Sequence, residues 1–160
     1  MQAWKYGRFE IRAKVDARPG LWPAIWTLGV KGGYPYNGEI DIMECYKGKI
    51  LANSFWAGKK EWELRQDVSS RTIKSFNDPK WAEKFHIWRM DWDKDNIKIY
   101  VDNILLNTIE LKKTINQRGS IRNPFRQKHF LMMDFSPADY IPDQNIRQDF
   151  QLKSRVILVE

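Results

Sequence analysis

The chain holds one cysteine, two histidines and no long apolar run. With Cys45 alone there is no intrachain disulfide, so the fold is not a disulfide scaffold. Cys45 follows Glu44 directly, and strand alternation turns it away from that acid toward the core, where free cysteines usually lie. His86 and His129 are isolated, with no Cys/His cluster at zinc spacing and no Ser-His-Asp pattern to build on. No stretch approaches the roughly 20 apolar residues of a membrane-crossing helix. The first residues, MQAWKYGRFE, lack the apolar stretch of a signal peptide. Internal repeats and low-complexity segments are absent as well.

What is present fits one folded domain of 160 residues, with 42% hydrophobic content and enough chain for a real core. Aromatic residues make up 14% of the chain, which favours strands. Net charge is +7, but the basic residues are scattered, with only short clusters such as Lys59–Lys60 and Lys112–Lys113. No nucleic-acid-binding motif accompanies the charge, so a nucleic-acid partner is not expected.

Period-two alternation dominates. Phe9, Ile11, Ala13 and Val15 alternate with Arg8, Glu10, Arg12 and Lys14, which predicts a half-buried antiparallel strand. Arg18-Pro19-Gly20 turns the chain into a near-continuously apolar strand over 21–30. Lys47-Gly48 predicts a tight turn, and Asp102-Asn103 a two-residue hairpin turn between strands 96–101 and 104–111. Residues 58–77 read as a long loop or irregular strands. Asp78-Pro79 reads as the start of a short helix through Glu83. Residues 85–92 and 129–135 complete the main strands, and 150–153 and 156–159 are candidates for a final one.

The most informative segment is GEIDIMECY at 38–46. On a regular strand Glu39 and Asp41 share a face and Glu44 points the other way. One β-bulge at Ile42–Met43 returns Glu44 to the acidic face. Three carboxylates on one face repel each other and stabilise nothing, so a chemical role is expected. Glycoside hydrolysis uses such a set: one carboxylate attacks the anomeric carbon, and another, roughly 5–5.5 Å away, protonates the leaving oxygen. The alternative is an edge strand with solvated acids, a common device against aggregation. The loop before this strand lands beside the acids, which makes Tyr34 and Asn37 candidate sugar contacts. In the following strand Asn53 and Phe55 share one face, and Ser54 and Trp56 the other.

These residues resemble glycoside hydrolase family 16. YGRFEIRAKV (6–15), GLWPAIWTLG (20–29), NGEIDIMECY (37–46), FHIWRMDW (85–92) and KIYVDNILL (98–106) follow that family's blocks in order. The extra residue before Glu44 is similar to its laminarinase-like branch. The resemblance implies an all-β fold, a jelly-roll β-sandwich with a cleft, and retaining endo-hydrolysis of a β-linked polysaccharide. It implies Glu39 as nucleophile, Glu44 as acid/base and Asp41 as the assisting carboxylate, with no cofactor. One face of residues 50–57 is expected to line the cleft, so both Asn53 and Trp56 are candidates for substrate contact. Trp22 is a candidate stacking residue, and Trp26 a weaker one. The substrate expected is a β-1,3- or mixed-linked glucan, with a sulfated galactan as alternative and a catalytically silent sugar-binding remnant as a second class.

The chain departs from the family in four places. Phe55 stands where many members carry His. Asp134 stands where an Asn is usual, without the Gly-Gly loop that follows it, and residues 136–160 match only loosely. The YGRF block begins at residue 6, so 1–160 is expected to be a single domain lacking the family's opening strands. Export is implied by the resemblance alone. The family often carries structural calcium, for which no ligands are assigned here.

Overall fold

A computed structural model describes residues 2–137 and 156–159. Its ten strands are β1 (Gly7–Ala13), β2 (Leu21–Gly29), β3 (Glu39–Tyr46), β4 (Lys49–Ala57), β5 (Leu64–Thr72), β6 (His86–Trp92), β7 (Asn96–Val101), β8 (Ile104–Glu110), β9 (His129–Pro137) and β10 (Val156–Val159). They form two antiparallel five-stranded sheets of a jelly-roll sandwich, in the orders β10-β1-β6-β7-β8 and β5-β4-β3-β2-β9.

Alternation builds the core between the sheets. Phe9, Ile11, Trp88, Met90, Ile97 and Ile99 come from one sheet; Ile25, Ile40, Ile42, Met43 and Ile50 come from the other. Each such side chain contributes about 1.5–3 kcal/mol when fully buried. Cys45 joins them, as the sequence indicated.

The expected turns form. Lys47 and Gly48 take φ of 47° and 72°, and Asp102 and Asn103 take 46° and 67°, the left-handed backbone that a tight hairpin requires. Residues 58–77 differ from the expectation. They contain β5, a regular nine-residue strand paired along β4, followed by a single 3-10 turn at Ile73–Phe76. The helix expected after Asp78-Pro79 is only one 3-10 turn, Trp81–Glu83. Of the two candidates for a final strand, 156–159 forms β10 against β1, and 150–153 lies outside the described residues. Among the described residues no helix is long and apolar enough to cross a membrane.

Candidate active site

The acidic strand β3 lies in the middle of its sheet, flanked by β2 and β4, which removes the edge-strand reading. Gly38 starts it at φ 74°, where an added Cβ would come within 2.6 Å of Pro124 Cβ, so both backbone and space call for glycine. The bulge forms where the sequence required it. On β2, Ile25 pairs with Met43 and Trp26 with Asp41, so Ile42 has no partner. On β4 the register shifts between Asp41 and Glu44, which face Asn53 and Leu51. Ile40, Ile42, Met43 and Cys45 all turn into the core, and Glu39, Asp41, Glu44 and Tyr46 share the other face.

Cross-strand register sets the neighbours of each acid. Ala24 and Leu51 flank Glu44, Trp26 and Asn53 flank Asp41, and Leu28 and Phe55 flank Glu39. One strand further out, β5 adds Ser70, Val68 and Gln66, and β9 adds Asp134, Met132 and Phe130. Around the three acids, these strand positions hold no Lys or Arg.

Both oxygens of Glu44 accept hydrogen bonds: from Trp22 Nε1 at 2.8 Å and from Asn53 Nδ2 at 2.9 Å. Asn53 Oδ1 accepts from the Ser69 backbone N–H at 3.3 Å. The Trp22 ring stacks on Tyr46 with centroids 4.5 Å apart.

Asp41 is 2% exposed, and its Oδ2 finds no donor among the described residues. Burial, then the charges of Glu44 and Glu39, push its carboxyl up to about 10, so it holds a proton at neutral pH. That proton lets Asp41 donate a hydrogen bond to Glu39. Burial raises Glu39 first; a hydrogen bond from Asp41 pulls it partly back, and the charge of Glu44 raises it again. Burial, then the charges of Glu39 and Asp41, push the Tyr34 phenol up to about 12.

The remaining sequence candidates separate. Asn37 is buried, and its Nδ2 donates to the Gly29 carbonyl at 3.1 Å, so it fastens the loop to the end of β2. Trp56 requires a correction. It is 5% exposed and packs edge-on to Phe125 in the core, because Ser54, Trp56 and the other even positions of β4 turn inward. Phe55 is the aromatic that β4 presents on the acidic face. Trp26, the weaker candidate, also shares that face, and its buried indole N–H has no partner among the described residues. Its i+2 and i+4 spacing from Ala24 and Trp22 was the available signal.

Sequence reading missed Asn116. Its Nδ2 bonds the Tyr36 and Ile121 carbonyls, each at 2.8 Å, and its Oδ1 accepts from Ala57 N at 2.9 Å. It thereby ties the Tyr34 loop to the end of β4; nothing in its sequence neighbourhood marked it. No group of three or more His, Cys, Asp or Glu side chains among the described residues is placed to hold a metal ion, so no calcium ligands are assigned.

Comparison with known proteins agrees with this architecture. The family model for glycosyl hydrolases family 16 matches residues 1–151. A glucan endo-1,3-beta-glucosidase A1 from Niallia circulans is 36% identical over 143 residues, covering 82% of this chain and 20% of that protein. A beta-1,3-glucan-binding protein from Penaeus monodon is 36% identical over 118 residues, covering 68% of this chain and 32% of the relative. Among solved structures, the laminarinase catalytic domain from Thermotoga maritima superposes with a TM-score of 0.71 at 28% identity, over 91% of this chain and 60% of that one. The chain thus spans less than two thirds of the length of each of these relatives. A matched segment that covers nearly the whole chain and includes the acidic strand assigns it: the chain belongs to glycosyl hydrolase family 16.

Proposed function

We propose that the chain is the catalytic part of a retaining endo-β-glycanase acting on internal β-1,3 or mixed β-1,3-1,4 glucan linkages. The observation that carries this reading is the bulged central strand, which puts Glu39, Asp41 and Glu44 on one face with protonated Asp41 between the other two. Glu39 attacks the anomeric carbon and forms a glycosyl ester, while the Glu44 carboxyl gives its proton to the departing glycosidic oxygen. Glu44 then takes a proton from water, which attacks the anomeric carbon and frees Glu39. Asp41 donates a hydrogen bond within the trio and, being neutral, adds no second negative charge beside Glu39. That matters because like charges at such spacing oppose ionisation of their neighbours. Both steps use the chain's own groups and need no cofactor.

A neutral glucan suits the site better than a sulfated galactan. Among the described residues, the strand positions surrounding the acids hold no Lys or Arg to receive a sulfate. Phe55 beside Glu39, Trp26 beside Asp41 and the Tyr34 ring supply apolar faces for sugar rings. The relatives' names, glucan endo-1,3-beta-glucosidase and laminarinase, support the same polymer class. The substrate is met outside the cell, in keeping with the export that the family resemblance implies.

A second reading, a glucan-binding module without turnover, is favoured by the 36% identity to a protein named for glucan binding. Reducing-sugar release from laminarin, lichenan, agarose and carrageenan separates the two, with Glu39→Gln alongside. Release from the glucans by the parent and none by the variant is the expected result. Unchanged glucan affinity in both proteins, with no release by either, would establish the binding module instead.

A further inference from the structure

Glu44 is gripped from both sides, and we propose that Trp22 and Asn53 are positioning residues that set its carboxyl for proton transfer. The proposal rests on the reading of Glu44 as the acid/base. The two donors arrive from the strands on either side of β3. Trp22, on β2, reaches Oε1 at 2.8 Å, and Asn53, on β4, reaches Oε2 at 2.9 Å. With one donor on each oxygen, the carboxyl plane is fixed. An unrestrained glutamate terminus rotates freely, because its last torsion is broad.

Each donor is itself held. The Asn53 amide has one orientation available, since its Oδ1 faces the Ser69 backbone N–H and leaves the NH2 toward Glu44. The relay therefore runs from the β5 backbone through β4 to β3. On the other side, Tyr46 lies against the Trp22 ring at 28° between planes and fixes the direction of its N–H. Tyr46 follows Glu44 by two residues on the same face, so the strand that carries the carboxyl also carries the support for its donor. Trp22 thus acts through Glu44, and one face of its ring is already taken by Tyr46 rather than offered to sugar.

Proton-transfer geometry is steep in distance, and a misplacement of about 1 Å costs on the order of 100-fold. The consequence depends on the leaving group. A sugar leaving group needs Glu44 as acid, whereas dinitrophenolate departs without a proton. Azide attacks the glycosyl ester without a general base, forms the glycosyl azide and releases the Glu39 carboxylate.

The test compares Asn53→Ala and Trp22→Phe with the parent on laminarin and on a 2,4-dinitrophenyl β-laminaribioside, with and without azide, after melting curves establish folding. Trp22→Phe removes the N–H donor while leaving an aromatic ring to face Tyr46. Expected for both variants is a fall of about 10–100-fold in kcat/KM on laminarin and of less than about threefold on the dinitrophenyl substrate. Azide is expected to raise kcat on the latter and to yield the glycosyl azide. Equal loss on both substrates without an azide effect would overturn the proposal, because a merely structural role does not distinguish leaving groups. Glu39→Gln removes the nucleophile and is expected to lose both substrates, so failure of the clamp and failure of the reaction read differently.

Discussion

Asp41 and Glu44 stand three residues apart in β3 and yet share one face of the sheet. The extra residue is Ile42, skipped by β2, whose Ile25 and Trp26 pair with Met43 and Asp41. Ile42 is fully buried, so the bulge adds a core side chain as it re-aims the acid. Deleting Ile42 would leave Asp41, Met43 and Glu44 in unbroken alternation, with Glu44 still on the acidic face. The deletion costs a buried side chain, on the scale of about 2–5 kcal/mol. The expected outcome is a lower melting temperature and weakened turnover of laminarin that still exceeds that of Glu44→Gln. A folded deletion variant no more active than Glu44→Gln would show that the bulge sets the separation of the carboxyl groups as well as their shared face.

Asp41 gives stability a pH dependence of unusual sign. Its carboxyl ionises near 4 in the unfolded chain and near 10 when folded, so between those values the folded state holds the extra proton. Stability contributed by this group is full below about pH 4 and falls as pH rises toward about 10. Asn at this position keeps the shape and stays neutral at every pH. Asp41→Asn is therefore expected to melt above the parent at pH 7 and to converge with it near pH 4. The scale is about 2–4 °C per kcal/mol for a chain of this size. Turnover is expected to fall in the same variant, because Asn cannot take or give the shared proton. Parallel melting curves for parent and variant from pH 4 to 8 would sink this account.

The acidic face was legible because its chemistry and its geometry pull apart. Glu39, Asp41 and Glu44 demand one face, alternation denies it, and only a bulge reconciles them. Cys45 was legible for the same reason, as the neighbour that any such strand must bury. Asn53 and Trp56 were not separable: alternation assigns them to opposite faces without saying which face is inside. That is decided by pairing, when Asn53 meets Asp41 across the ladder. β5 was legible only as a loop or irregular strand, because it is an edge strand with exposed or half-exposed positions on both sides and no apolar period marks it. The inward side chains of β5 meet polar partners instead, as when Ser69 Oγ donates to the Leu106 carbonyl at 2.6 Å. The donors to Glu44 were seen only as candidate sugar contacts, since contacts across 22 and 9 residues leave no local trace.

Phe55 and Trp56 are adjacent in sequence and opposite in consequence. Phe55 pairs with Glu39 and stands on the acidic face, half-buried, where a sugar ring bound beside Glu39 would meet it. Trp56 fills the core against Phe125, with centroids 6.2 Å apart. Truncating Trp56 to Ala removes a packed aromatic and is expected to cost about 3–5 kcal/mol of stability. At temperatures where that variant remains folded, its KM for laminarin is expected to stay near the parent value. Phe55→Ala is expected to do the reverse, raising KM several-fold, since truncating a sugar-facing ring costs on the order of 1 kcal/mol of binding, while shifting the melting temperature little. Denaturant melts and Michaelis curves on the two variants read both quantities. A Trp56→Ala protein that keeps its stability but loses affinity for glucan would mean that β4 presents its other face to the cleft.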